Sequence, residues 1–348
     1  MRIFSYRNKQ RLKSLLIVLG AALLIFLGFV LCRFLYLQRF LVYTTSSVEL
    51  DYGQDLSSAR QPSGSETEEE FPLEVVIDES YSEVSGEETA LQTLHGYYIT
   101  TDMLQDMTEV TNALDSLEER PEALLFELKS IYGNFYYHSS LYSAVTANAD
   151  IDAIESLIQQ YQQKNTYLIA RVPAFTDNNF ALANQSCGLP LRSGALWMDE
   201  NNCYWLDPLD EEVQNYLISI ATELAGMGFD EIVFENFRMP DSQNIVYDSG
   251  ELTREDVVAE AAQSLRAALS ALPVRISFGS DSPLVAQSTD RIYMTTEDGS
   301  RVAELVAGVS EYLENPSAQV VFQTSSRDTR FDGYGILRPL IEGISSEE

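Results

Sequence analysis

The stretch Phe229-Asp230-Glu231-Ile232-Val233-Phe234-Glu235-Asn236-Phe237-Arg238-Met239-Pro240 decides the fold. Ile232, Val233 and Phe234 form a short apolar run of the kind that fills a fully buried strand. The run breaks into Glu235, Asn236 and Arg238, and Pro240 bars any continuation. Charged groups at the end of a buried strand lose hydration, so they need a partner or a ligand. In barrels and open α/β sheets the carboxyl ends of parallel strands are where ligands bind.

The same punctuation recurs along the chain. Tyr97-Tyr98-Ile99 is followed by Thr100, Leu124-Leu125-Phe126 by Glu127, and Leu168-Ile169-Ala170 by Arg171. Ile276-Ser277-Phe278 runs into Gly279, Ile292-Tyr293-Met294 into Thr295, and Val320-Val321-Phe322 into Gln323. An eighth run, Tyr334-Gly335-Ile336-Leu337, ends at Arg338. Between them lie amphipathic helical patterns: Ile151, Ile154, Leu157 and Ile158 share one face, and Glu212–Met227, Val257–Leu272 and Arg301–Glu314 behave alike. Asp207-Pro208 reads as a helix start, with Asp as the N-cap. Alternating strands and helices imply a parallel sheet. Eight units over residues 93–344 predict an α/β fold, a (β/α)8 TIM barrel. The intervals from Gly279 to Ile292 and from Gln323 to Tyr334 are too short for full helices, so the last units are expected to be abbreviated. The eighth strand is expected to be irregular or missing.

Ahead of the barrel the composition changes twice. The first 13 residues carry Arg2, Arg7, Lys9, Arg11 and Lys13 and no acid, and Leu15 to Cys32 has no charge. Extended through Phe34-Leu35-Tyr36-Leu37, this predicts a transmembrane anchor over 15–37, with a cytoplasmic basic tail at 1–14 by the positive-inside rule. No small-residue cleavage site follows the run, so the segment reads as retained. Residues 38–92 read as an extracellular acidic linker: positions 49–90 hold 13 acids against the single base Arg60. Such a segment cannot bury enough apolar surface to offset its ordering entropy and is expected to be disordered. Together these place the protein in the cell membrane as a single-pass protein with its barrel outside.

The barrel side of the chain is strongly acidic. Removing the seven basic groups of residues 1–48 from the chain's 22 leaves 15 against 53 acids, a net of −38. Nucleic acid is excluded as a partner, because its binding rests on Lys and Arg contacts to phosphate. A neutral or cationic ligand is easier to accommodate than an anionic polymer. Cys187 and Cys203 permit one disulfide in an exported domain, or stand as two buried thiols; the spacing does not decide between them.

Four blocks in fixed order carry a resemblance. They are Tyr167-Leu168-Ile169-Ala170-Arg171-Val172-Pro173-Ala174-Phe175, Gly194-Ala195-Leu196-Trp197, Trp205-Leu206-Asp207-Pro208, and Gly228 through Pro240. The set resembles a family of glycoside-hydrolase-like domains found on bacterial surfaces. His95-Gly96-Tyr97-Tyr98 and Leu125-Phe126-Glu127-Leu128-Lys129 extend it more weakly to the start of the barrel, and it fades beyond Pro240. The resemblance implies a TIM barrel acting on O-glycosyl bonds of a polysaccharide or oligosaccharide. This chain departs from the family pattern in having Glu235 and Asn236 where Asp and Tyr stand, and Glu127 where Asp stands. Each longer acid moves a carboxylate by about one bond, and a misplacement of about 1 Å can cost roughly 100-fold in rate.

Glycoside hydrolysis usually employs two carboxyl groups, about 5–5.5 Å apart for retention and about 6.5–9.5 Å for inversion. The strand ends supply Glu235 and Glu127 as candidate catalytic groups. The competing reading for Glu235 is an ion pair with Arg171 or Arg238, and for Glu127 one with Lys129. Asp281, Glu297 and Asp298 follow the fifth and sixth strands as reserve candidates, or as solvated loop acids. Gln323 stands where one large glycosidase clan places a nucleophile. Arg171, Asn236, Arg238, Trp197 and Asp207 are candidate substrate contacts, with N-capping the simpler role for Asp207. Tyr132, Phe135, Tyr136 and Tyr137, and Phe175, Tyr204 and Trp205, either form sugar platforms or cover the barrel mouth. Only His95 and His138 are present, too few for a zinc site built on histidine. No Gly-x-Ser-x-Gly elbow or phosphate-binding loop occurs, and no metal or cofactor is called for. Two functions fit: a membrane-anchored glycosidase, or a catalytically inactive barrel that binds glycan or serves as a surface interaction module.

Overall fold

A computed structural model describes residues 91–343, together with the backbone of an antiparallel hairpin, Leu41–Thr44 and Ser47–Leu50. The chain divides into two units, Met1–Glu83 and Val84–Glu348. The segment 38–92, read above as linker, contains the hairpin. The basic tail, the expected anchor at 15–37 and the rest of the linker lie outside the described residues. Among the described residues no helix is long and apolar enough to cross a membrane.

The second unit holds a closed barrel of eight parallel strands: β1 His95–Ile99, β2 Ala123–Glu127, β3 Tyr167–Pro173, β4 Glu231–Glu235, β5 Arg275–Gly279, β6 Ile292–Thr295, β7 Val320–Gln323 and β8 Gly335–Pro339. All eight are the apolar runs of the sequence. Contrary to expectation, β8 is a regular strand that pairs with β7 through Phe322–Ile336 and with β1 from Ile336–His95 to Pro339–Tyr98. Closure forces this, because a missing eighth strand would leave two edges of unpaired backbone. Gly335 suits the close approach: a methyl group there would lie 3.0 Å from Val321 Cγ2 and 3.1 Å from the Val320 carbonyl oxygen.

Side chains alternate between the barrel lumen and the helical layer. Leu125, Ile169, Val233, Tyr293, Val321 and Leu337 pack together inside the barrel. Phe126, Leu168, Ile232 and Phe278 face outward into the larger core beneath the helices. The main crossover helices are α1 Met107–Asp115, α2 Ile151–Gln163, α3 Glu211–Gly226, α4 Arg254–Leu269 and α5 Val302–Val309. Ile151, Ile154, Leu157, Ile158 and Tyr161 are the buried face of α2, as the sequence pattern predicts. A capping box between Thr253 and Asp256 starts α4. Asp210, not Asp207, caps α3, accepting from the Glu212 and Val213 amides at 2.9 and 3.2 Å. The abbreviated units are present: β5 and β6 are joined through Pro283–Ala286, and β7 and β8 through the single turn Thr329–Phe331.

The amino-terminal end of the lumen is closed by a buried ion pair. Glu231, fully buried, pairs with Arg291 Nη1 at 2.5 Å and accepts from Tyr167 Oη at 2.8 Å, Ser277 Oγ at 2.6 Å and Tyr293 Oη at 2.9 Å. Burial works against the charge on Arg291, but the adjacent Glu231 carboxylate outweighs it and holds the guanidinium protonated. Such a pair survives in low dielectric only because its remaining lone pairs are satisfied. It stops the barrel from below and leaves the opposite mouth open.

Candidate active site

Parallel register brings the polar strand ends to one mouth. Glu127 lies opposite Arg171, Pro173 opposite Glu235, and Thr295 opposite Gln323. Arg171, nearly buried, is the hub. Its Nε donates to Glu127 Oε1 at 3.1 Å, its Nη2 pairs with the same oxygen, and its Nη1 donates to Gln323 Oε1. Glu235 Oε2 stands 3.7 Å from that Nη1. Glu127 is 8 % exposed and also accepts from the Thr101 amide at 2.8 Å. Both candidate carboxylates are thus drawn to one guanidinium. Lys129, weighed above as the alternative partner of Glu127, goes elsewhere. Its Nζ meets Asp177 Oδ2 at 2.8 Å, where both side chains are fully buried and Asp177 also accepts from Tyr216 Oη and the Phe180 amide.

A cleft of about 290 Å³ opens over this layer, at the small end of ligand pockets. Glu235, Asn236 and Arg238 form one wall with Thr176 and Trp205, and Gly279, Ser280, Asp281, Thr295 and Arg301 form the other. Gly279 leaves room for Glu235: a methyl group there would lie 2.5 Å from Glu235 Oε2. Asn236 has φ of 52°, a left-handed conformation that Asn tolerates better than most residues. The turn it makes lets the Phe237 amide donate to the Gly279 carbonyl at 3.1 Å, while the Phe237 ring seats between Phe175 and Phe278. The wall carrying Glu235 is thereby tied to the wall carrying Asp281.

The other sequence candidates divide. Glu235, Asn236, Arg238 and the reserve acid Asp281 line the cleft, whereas Glu127, Arg171, Trp197 and Asp207 are not among its lining residues. Trp197 is half-buried, its ring 6.4 Å from that of Trp205. Asp207 Oδ1 accepts from the Leu209 amide at 3.0 Å and Tyr247 Oη at 2.7 Å, which holds the β3–α3 loop rather than a helix start. Trp205 is only 2 % exposed, and the Arg238 guanidinium lies 5.1 Å over its ring. Phe135, Tyr136, Tyr137 and Phe175 are buried packing residues. Glu297 holds a loop through Thr324 and Ser325, and Asp298 caps a turn at Ser300. Cys187 and Cys203 are free and buried. Burial first, then the neighbouring Glu212, pushes the Cys187 thiol up to about 12. The Cys187, Asp210 and Glu212 side chains come together, with Cys187 Sγ 3.2 Å from Glu212 Oε2. Sequence reasoning missed Arg301, hidden in a helical pattern, and Asp199, whose Oδ2 accepts from Trp205 Nε1 at 2.7 Å.

Residues 96–295, more than half of the chain, match the family described as "Putative glycosyl hydrolase domain". The chain belongs to this family. The match runs from β1 through β6, well past Pro240, where the sequence resemblance seemed to fade. No curated protein matches. Among solved structures, a GH36 α-galactosidase from Geobacillus stearothermophilus, determined with stachyose, superposes with a TM-score of 0.52 at 13 % identity, covering 74 % of this chain and 40 % of its own. An α-galactosidase from Lactobacillus brevis gives 0.50 at 13 % identity, with 74 % and 39 % covered. A hypothetical protein from Ruminiclostridium thermocellum gives 0.45 at 21 % identity, with 52 % and 96 % covered. The chain spans about two fifths of the α-galactosidases, and what it shares with them is the TIM-barrel fold.

Proposed function

We propose that this member of the family hydrolyses O-glycosyl bonds of a polysaccharide or oligosaccharide in the cleft at the carboxyl ends of β4 and β5. The observation that carries the reading is the shared cleft of Glu235 and Asp281, held over a closed barrel stopped from below. Glu235, fixed against Gly279 and beside Arg171, is the acid that protonates the leaving oxygen. Asp281, exposed on the facing loop, is the second carboxylate, acting on the sugar or on water. Glu127 acts through Arg171 as a positioning residue and does not touch substrate. Asn236 and Arg238 bind sugar substituents. The charge asymmetry around residues 15–37 supports a membrane anchor that holds the barrel outside the cell.

A second reading is favoured by one observation. Glu127 and Glu235 both converge on Arg171, an arrangement that also suits a glycan-binding barrel without turnover. Full-length protein incubated with a panel of neutral, cationic and acidic glycans separates the two. Release of reducing ends supports the hydrolase; binding without release supports the binding module.

A further inference from the structure

We propose that the cleft selects a sugar bearing an anionic substituent, a hexuronate carboxylate being the best fit, and that Arg238 and Arg301 read it. The inference rests on the glycan-cleft reading above and names the class of glycan. Beyond position 48 the chain has 15 basic groups against 53 acids. Six of the barrel's twelve arginines, Arg171, Arg254, Arg266, Arg291, Arg327 and Arg330, form ion pairs, and Arg120 and Arg338 donate to backbone carbonyls. Arg238 and Arg301 have no carboxylate oxygen within 4.0 Å and donate no side-chain hydrogen bond among the described residues. Both are exposed, and both line the one cleft that holds Glu235.

Of the acids of the cleft and its rim, three are engaged, whereas Asp281 is exposed on the facing loop. Asp199 accepts from Trp205 Nε1 and from the Asn201 and Cys203 amides. Asp298 accepts from the Ser300 amide and hydroxyl and also feels the charges of Arg330 and Arg301. Glu235 stands beside Arg171. The Arg238 guanidinium carbon lies 5.1 Å from the centroid of the Trp205 ring. A guanidinium so placed presents a fork of N–H donors suited to a planar carboxylate in a two-point contact. The cover also explains why Trp205 offers no bare face to a sugar. The acidic field of the chain opposes an anionic ligand at long range. At about 0.15 M salt the Debye length is roughly 8 Å, so acids far from the cleft act weakly there; the lining itself sets Arg238 and Arg301 against Asp199, Glu235 and Asp281.

The test is calorimetric titration of full-length protein with an oligohexuronate and with its carboxyl-reduced, neutral counterpart. Sulfated and phosphorylated oligosaccharides serve as separate arms that identify the anion. The acidic ligand should bind at least about tenfold more tightly than the neutral one, the scale of one charge-assisted hydrogen bond. Arg238→Gln and Arg301→Gln should each lower that ratio, and together bring it near one, with at most a small fall in melting temperature, since both side chains are exposed and only Arg238 lies against a ring. Preference for the sulfated or phosphorylated ligand keeps the anion assignment and overturns the carboxylate. Equal binding of acidic and neutral ligands, preference for the neutral one, or binding of none overturns the proposal. Reducing-end release measured on the same ligands separates the two claims. Turnover without acidic preference leaves the hydrolase standing and sinks the selectivity, and acidic preference without turnover does the reverse.

Discussion

A methyl group at Gly279 would lie 2.5 Å from Glu235 Oε2 and 2.6 Å from Glu235 Cδ, closer than non-bonded atoms approach. The carboxylate would have to move, and movement of about 1 Å can cost roughly 100-fold in rate. Gly279→Ala should therefore lower kcat strongly while leaving the far-ultraviolet circular dichroism unchanged; an unaltered kcat would show that the Glu235 position does not matter to turnover. Glu235 and Arg171 were legible in the sequence because they directly follow apolar strand runs, and a strand end has a known location in a barrel. Asp281, Arg301 and Asp199 were harder. They sit on loops, and no periodicity records where a loop returns in space. Trp197 and Asp207 lie outside the lining of this cleft, Trp197 half-buried beside Trp205 and Asp207 accepting from Tyr247 Oη.

At the level of elements, the strands were readable and their partners were not. Each apolar run became a strand because its side chains fill the lumen on one face and the helical layer on the other. The eighth was underrated because its sequence is weak, whereas closure of the barrel supplies the pairing that local propensity lacks. Glu231 escaped notice for the opposite reason: it precedes its strand's apolar run and looks like an ordinary surface acid. In the fold it is fully buried against Arg291, Tyr167, Ser277 and Tyr293. Replacing one partner leaves the other charge buried and unpaired, which costs about 3–5 kcal/mol. Arg291→Met should lower stability on that scale in urea unfolding. A loss under about 1 kcal/mol would mean that water reaches Glu231 and that the lumen is not stopped at this end.

For the whole molecule, four desolvated phenols, three buried and one (Tyr167) half-buried, set an alkaline limit. Tyr137, Tyr167, Tyr216 and Tyr293 are all held above the usual tyrosine range, by burial first and then by Glu223, Glu231 or Asp177 beside them. The folded state therefore keeps protons that the unfolded chain releases near pH 10. Stability is full below about pH 10 and falls above it, by about 1.4 kcal/mol per pH unit for each such phenol. Thermal midpoints should drop steeply above pH 10, with the phenolate absorbance of these four appearing only on unfolding. A midpoint that stays flat to about pH 11.5 would contradict their burial. The anchor is tested at the same scale: full-length protein should pellet with membranes, and external protease should release the barrel by cutting within 49–90. Recovery of a soluble form lacking residues 1–40 would refute it.

The central claim, that the cleft over β4 and β5 hydrolyses glycosidic bonds through Glu235, is tested most directly by one paired measurement. Reducing-end release is followed on a bound glycan for wild-type protein and Glu235→Gln, with affinity for the same glycan determined in parallel. The amide keeps the shape of the side chain but cannot cycle a proton. Release should fall by roughly 10²–10⁴-fold, the usual contribution of general acid catalysis, while affinity changes by no more than a few-fold. Hydrolysis by Glu235→Gln at the wild-type rate would contradict the assignment.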